Sequence, residues 1–212
     1  GEVYRVKHKF LGYQALKILK NTVSKNNFSD FLNESQNLVN INHKNIVRLY
    51  DSNYLKYNQN KYFYLSMEFV SGEDLASLIQ RKKKLTLELS LKITKEICSG
   101  LKFMHEQVPS IIHRDIKPQN ILLDYNTEPI SAKISDFGVS SVLDPNFKIA
   151  NGAGTLFYMA PECFNGIADE SSDIFSLGII LYEMLTGQHP WKYDFEDHQD
   201  VEALTTQIIL AR

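Results

Sequence analysis

The chain has 212 residues, 43% of them hydrophobic, enough for one large domain or two small lobes. Its 23 basic and 25 acidic residues leave a formal charge of -2, so no net positive charge draws it to nucleic acid or to an anionic membrane. Cys98 and Cys163 are far apart and lack CxxC spacing, which argues against a disulfide scaffold or zinc cluster and fits a reducing, cytoplasmic compartment.

Residues 3–7 and 13–19 are short alternating segments split by a turn ending at Gly12, the pattern of an antiparallel hairpin. A helix is expected over about 29–40, with Phe31, Ser35 and Leu38 on one side. Residues 46–50 and 62–70 return to strand character, separated by a polar loop at 53–61. Past Ser71 and Gly72 the period becomes helical. Leu89, Ile93, Ile97, Leu101 and Met104 recur at steps of four, four, four and three, which places them on one core-facing stripe. A loop and short hairpin cover 111–135. Residues 174–185 read as a strongly apolar helix closed by Gly187 and Pro190, suited to the centre of a lobe. The longest apolar stretch, 177–185, is too short to span a bilayer and contains Glu183, so no membrane segment is expected. A last helix is expected over 201–211. Gly1 is followed by no charged-then-apolar leader, so no secretory signal is expected.

The chemistry concentrates in His113-Arg114-Asp115-Ile116-Lys117-Pro118-Gln119-Asn120. A carboxylate, Asp115, can accept a hydroxyl proton, and Asn120 can offer an amide oxygen to a hard cation such as magnesium. Lys117 adds positive charge where phosphate charge must be stabilised. Farther on stand Asp136-Phe137-Gly138, after a strand-like stretch, and Gly154-Thr155-Leu156-Phe157-Tyr158-Met159-Ala160-Pro161-Glu162. Upstream, Ala15-Leu16-Lys17 lies on an expected strand and Glu34 in the middle of the following helix.

In this order the motifs resemble those of protein kinases across essentially the whole chain. The resemblance implies an α+β, two-lobed fold: an N-lobe at 1–67 with a small antiparallel sheet and one helix, a hinge at 68–72, and a mainly helical, incomplete C-lobe at 73–212. It implies that Lys17, paired with Glu34, anchors the α- and β-phosphates of ATP; that Asp115 is the catalytic base and Lys117 its cationic neighbour; and that Asn120 and Asp136 bind Mg2+. Gly1, Val3, Ala15, Met67, Glu68, Val70 and Leu122 match nucleotide-binding positions, with Val3, Ala15 and Leu122 around adenine, Met67 as gatekeeper and the backbone of 67–70 as hinge. Leu38, Leu49, His113 and Phe137 match the stack joining helix to catalytic loop. Asp173 resembles the aspartate that holds that loop through backbone hydrogen bonds; as a plain residue it is also a helix N-terminal acid stabilised by the macrodipole.

The implied reaction is transfer of the γ-phosphate of ATP to serine or threonine of a protein substrate. Lys117 two residues after Asp115, together with Gly154-Thr155, fits that acceptor class. The competing reading is a pseudokinase, a scaffold that binds partners without catalysis; a phosphotransferase acting on small molecules would not need the Ala-Pro-Glu segment. Gly1 matches the third glycine of the phosphate loop, so the chain without the first two is expected to bind ATP poorly. Glu162 is expected to lack an arginine partner. The stretch 147–153 holds no hydroxyl, and Asn151 stands where a phosphorylated residue would face Arg114. Two readings follow, a loop ordered without phosphate or phosphate on Ser140, Ser141 or Thr155 instead, and replacing Ser140 and Ser141 together with alanine is expected to leave activity largely intact. A large loss, with phosphate mapped to either serine in the parent, would contradict this.

Overall fold

The computed structural model describes residues 2–19, 38–58, 60–136 and 156–191. The expected helices over 29–40 and 201–211 fall outside these, apart from a closing helical turn at Leu38 and Val39. Four antiparallel strands form one sheet: β1 (Glu2–His8), β2 (Gly12–Ile18), β3 (Leu49–Tyr57) and β4 (Asn60–Glu68), in the order β1-β2-β4-β3. The hairpin between β1 and β2 turns at Gly12, whose φ of 79° is left-handed and open to glycine at no steric cost. Its register sets Val3 opposite Lys17, and the β2–β4 register sets Ala15 opposite Met67.

One expectation about this sheet fails. The polar segment expected as a loop over 53–61 is strand at both ends, with a tight turn around Asn58 (φ 47°). The reason is cross-strand aromatic pairing. Tyr54 stands opposite Phe63 and Leu55 opposite Tyr62, while the Lys61 ammonium lies 4.7 Å from the Tyr54 ring centre. Phe63 is fully buried, so one face of the hairpin belongs to the core although its residues look polar in sequence. Conversely, Ile46 and Val47, expected as strand, lie in a connection that bonds elsewhere.

The second layer is mainly helical, with a small sheet β5-β6-β7: β5 (Gly72–Asp74), β6 (Ile121–Asp124) and β7 (Ser131–Ile134). The Asp74 side chain caps α1 (Leu75–Lys82) by accepting from the Ser77 N–H, 2.9 Å away. Helix α2 (Leu87–His105) is capped by Thr86 and buries Ile93, Ile97, Leu101 and Met104, the stripe expected from sequence. Gly100 on this helix lets the connection at 41–47 approach: an added Cβ would lie 2.8 Å from Ile134 and 3.0 Å from the Asn45 carbonyl. Helix α3 (Glu170–Thr186) starts with a capping box at Asp169 and Ser172 and buries Leu177, Ile179, Ile180 and Met184.

The two layers are sewn together on one side. Val47 N–H donates to the Ile134 carbonyl (2.8 Å), Ile134 N–H to the Asn45 carbonyl (2.9 Å), and the Asn45 amide to the Ala132 carbonyl (2.9 Å). At the far end of α3, Gly187 (φ 74°) closes the helix, and its Cα packs so tightly on the Lys83 carbonyl that a Cβ would come within 1.9 Å of it. Gly187→Ala therefore meets both backbone strain and a backbone clash. It is expected to lower stability by about 1–3 kcal/mol, read as a reduced denaturation midpoint in urea. Gly166→Ala, at φ 80° with open space around it, serves as the comparison and is expected to cost less.

Candidate active site

Two loops converge below β2. The first runs from α2 through residues 111–120 into β6. The second leaves β7 at Ser135 and reaches Asp136. Helix α3 holds the first loop. The Asp173 carboxylate, on a residue 1% exposed, accepts the backbone N–H groups of His113 and Arg114, each at 2.9 Å, and the ring N–H of His105 at 2.9 Å. A buried carboxylate needs such partners, and these are the ones its position supplies. Both readings of Asp173 made from sequence thus meet in one residue: it lies in the first turn of α3 and also grips the loop.

His113, fully buried, ties the two loops together. One ring nitrogen donates to the Ser135 carbonyl (2.9 Å) and the other accepts from the Asp115 N–H (3.2 Å), which fixes the tautomer with hydrogen on Nε2. Ser135 returns its own N–H and hydroxyl to the Asn120 carbonyl at 2.8 and 3.1 Å. Arg114 and Asp136 both adopt left-handed backbone, φ 66° and 60°, at about 1–2 kcal/mol each for a side-chain-bearing residue. The bonds of Asp173 to His113 and Arg114, and those of Ser135 to His113 and Asn120, adjoin these two positions.

Asp115 sits at the centre of this arrangement. Its Oδ2 is 2.9 Å from the Lys117 ammonium and 3.0 Å from the Asn120 amide nitrogen, which also donates to the Asp115 carbonyl at 2.8 Å. Oδ1 has no partner among the described residues. Because the Asn120 nitrogen is committed to Asp115, the amide oxygen is the atom left to turn outward. From the other layer, Lys17 extends from β2 and its Nζ lies 2.6 Å from Asp136 Oδ1, joining groups 119 positions apart in sequence. Of the polar groups singled out from sequence, Asp115, Lys117 and Asn120 are thereby linked as a trio within one loop, and Lys17 of β2 pairs with Asp136 at the end of the other. Glu34, the expected partner of Lys17, and Gly1, Phe137 and Gly138 lie outside the described residues. The oxygens of Asn120 and Asp136 form a donor set suited to a hard divalent cation.

The apolar candidates lie on β1, β2, the end of β4 and β6. Val3 is 61% exposed on β1, Ala15 and Met67 are half-buried on one face of adjacent strands, and Leu122 is half-buried on β6. Leu38 and Leu49 are buried in the core. Val70 follows β4 and is half-buried. Glu68 does more than the sequence suggested. Its carboxylate binds the Lys133 ammonium at 2.8 Å and accepts from the Arg48 N–H at 3.2 Å, while its own N–H donates to the Arg48 carbonyl. Lys133 was not singled out, although its alternation with buried Ala132 and Ile134 on β7 marks it as facing out of the core.

The segment 156–160 rests on α3. The Tyr158 hydroxyl donates to Glu183 (2.8 Å), and burial followed by the Glu183 charge pushes this phenol far above its ordinary range. Ser176 donates to the Tyr158 carbonyl (2.7 Å), and a His189 ring nitrogen lies 3.2 Å from that of Phe157. Glu162, expected to lack a charged partner, accepts a hydrogen bond from Ser172 at 3.2 Å.

Comparison with known proteins agrees with this geometry. The family model described as protein kinase domain matches residues 1–211. Calcium-dependent protein kinase 4 of Plasmodium berghei is 35% identical over 195 residues, covering 90% of this chain and 36% of that protein. Its counterpart in Plasmodium falciparum is 35% identical over 196 residues, with the same coverage. Serine/threonine-protein kinase atg1 of Dictyostelium discoideum is 40% identical over 149 residues, covering 70% of this chain and 22% of that protein. The chain thus spans about a third or less of the length of these relatives.

Asp173 offers a direct test. Asp173→Ala leaves two buried backbone donors without an acceptor, so stability is expected to fall by about 2–5 kcal/mol. Glu170→Ala removes an exposed acid from the same helix turn and is expected to cost well under 1 kcal/mol. Equal losses in chemical denaturation would assign Asp173 to the helix dipole alone.

Proposed function

The chain belongs to the protein kinase family, and we propose that it transfers the γ-phosphate of ATP to serine and threonine hydroxyls of protein substrates. Residues 1–67 act as the N-lobe, 68–72 as the hinge and 73–212 as the C-lobe. The observation that carries the reading is the 2.6 Å contact between Lys17 and Asp136, which draws a cation from one layer and an anion from the other onto a common cleft.

Adenine lies between Val3 and Ala15 above and Leu122 below, with Met67 behind it and the backbone of Glu68 and Val70 along its edge. The Glu68 N–H is already given to Arg48, so its carbonyl is the group that serves. Gly1 lies at the phosphate end. Lys17 holds the α- and β-phosphates, with Glu34 as its ion-pair partner once ATP is bound. Asn120 and Asp136 hold Mg2+ through their oxygens, and the ion when bound neutralises phosphate charge.

Asp115 then orients the acceptor hydroxyl and takes its proton. With Oδ2 occupied by Lys117 and Asn120, Oδ1 is the oxygen directed to the substrate. Lys117 places its ammonium beside the same carboxylate, where it offsets the charge that develops on the transferred phosphoryl group. The protein acceptor lies along residues 154–162, of which α3 holds the Tyr158 carbonyl through Ser176. Cys98 and Cys163 are both free thiols, which suits a reducing cytoplasmic setting.

Asp115→Asn is the decisive substitution because it keeps shape and removes the proton acceptor. With ATP, magnesium and a generic protein substrate, the full-length protein is expected to incorporate phosphate on serine and threonine. The variant should lose about a hundredfold or more in rate while melting at the same temperature. A folded parent that incorporates nothing would transfer the reading to a binding module on the same fold.

A further inference from the structure

The turn between β1 and β2 breaks the usual rule for hairpin tips. Such tips are built from small polar residues, yet this one presents Phe10, 80% exposed, and Leu11, 63% exposed, with Tyr13 at 54% just behind. Their display is fixed. The His8 ring accepts the backbone N–H groups of both Phe10 (3.2 Å) and Leu11 (3.1 Å), which closes the turn and leaves the two side chains outside it.

Charge follows the same pattern. Residues 5–13 contain Arg5, Lys7, Lys9 and His8 and no carboxylate, in a chain whose total charge is -2. The Lys9 ammonium lies 5.3 Å from the Phe10 ring centre, and the Arg5 guanidinium 4.9 Å from that of Tyr13. The tip thus has apolar groups at its apex and cations immediately behind them. Beside Leu11 the surface opens into a hollow of about 530 Å³ on the outer face of the sheet, lined by apolar Val6, Leu16 and Leu55 and by polar groups that include Lys7 and the Asp51 carboxylate.

We propose that this hairpin tip is a peripheral contact site for an anionic lipid surface. A convex apex cannot receive a partner's side chain, but it can enter a soft interface to the depth of two side chains while the cations meet lipid headgroups. The net charge of the chain conceals this, because electrostatic attraction at a surface acts over roughly 8–10 Å and responds to the local cluster. The tip also leaves the cleft free: Gly12 is five residues from Lys17 along β2, about 17 Å at strand spacing. No described helix is long and apolar enough to cross a membrane, so the contact is to the surface.

The test is co-sedimentation of the full-length protein with vesicles of phosphatidylcholine alone and of phosphatidylcholine mixed in equal parts with phosphatidylserine. Binding is expected to the mixed vesicles and not to the neutral ones, and to be released by raised salt. The double variant Phe10→Ser/Leu11→Ser and the charge variant Lys7→Glu/Lys9→Glu should each weaken it about tenfold or more, with unchanged melting temperature since all four residues are exposed. Absence of binding to mixed vesicles, equal binding to neutral ones, or undiminished binding of the Phe10/Leu11 variant would each overturn the proposal. Sedimentation is read without phosphate transfer, so its outcome is separate from that of the kinase reading.

Discussion

A single buried carboxylate sets the geometry on which the site depends. Asp173 is almost wholly withdrawn from water, and a charge in that position must be met by donors from every side. Two of the donors are consecutive backbone N–H groups, at His113 and Arg114, so the loop can satisfy them only by turning sharply there. The left-handed backbone of Arg114 is the result. Asp115 follows directly, and its side chain is delivered to Lys117 and Asn120 as a consequence of a contact made two residues earlier.

The same logic passes the constraint onward. His113 is fixed by its backbone to α3 and by its ring to the end of β7, so the loop carrying Asp115 and the turn carrying Asp136 are not positioned independently. Ser135 and Asn120 add two further bonds between them. Among the described residues, Asp115, Lys117, Asn120 and Asp136 are mounted on one braced unit of the helical layer, and Lys17 reaches them from outside it.

Much of this was legible in the sequence because the chemistry is carried by short strings with fixed internal offsets. His113 to Asn120 lie within one loop, so the residue types and their order already mark Asp115, Lys117 and Asn120 as one chemical group, while the bonds among them are seen only in the structure. The α2 stripe was readable because burial there follows the helical period. What escaped the reading depends on partners distant in the chain. Glu68 and Lys133 are 65 positions apart, and neither has a local pattern that names the other. The expected strand from Tyr62 holds, but 53–61 reads as a loop because Asn, Lys and Tyr look polar in a row, whereas Tyr54 pairs with Phe63 across the strands and Lys61 lies on the Tyr54 ring. The strand expected over 46–50 holds at Leu49 and Tyr50, but Ile46 and Val47 only resemble strand because they are apolar and β-branched. The hydrogen bonds of the segment 45–47 go to β7 instead, and its side chains fill the gap that Gly100 leaves open.

That seam at 45–47 has a mechanical meaning. Among the described residues, three backbone and amide bonds fasten the connection at 45–47 to β7, beside the further clamp of Glu68 on Lys133. A rotation of one layer on the other about this seam would leave these bonds in place, as a cover turns on its spine. Displacement would then be smallest at Asn45 and Ile134 and grow with distance from them, so the span between Lys17 and Asp136 would work as the gauge of how far the molecule stands ajar.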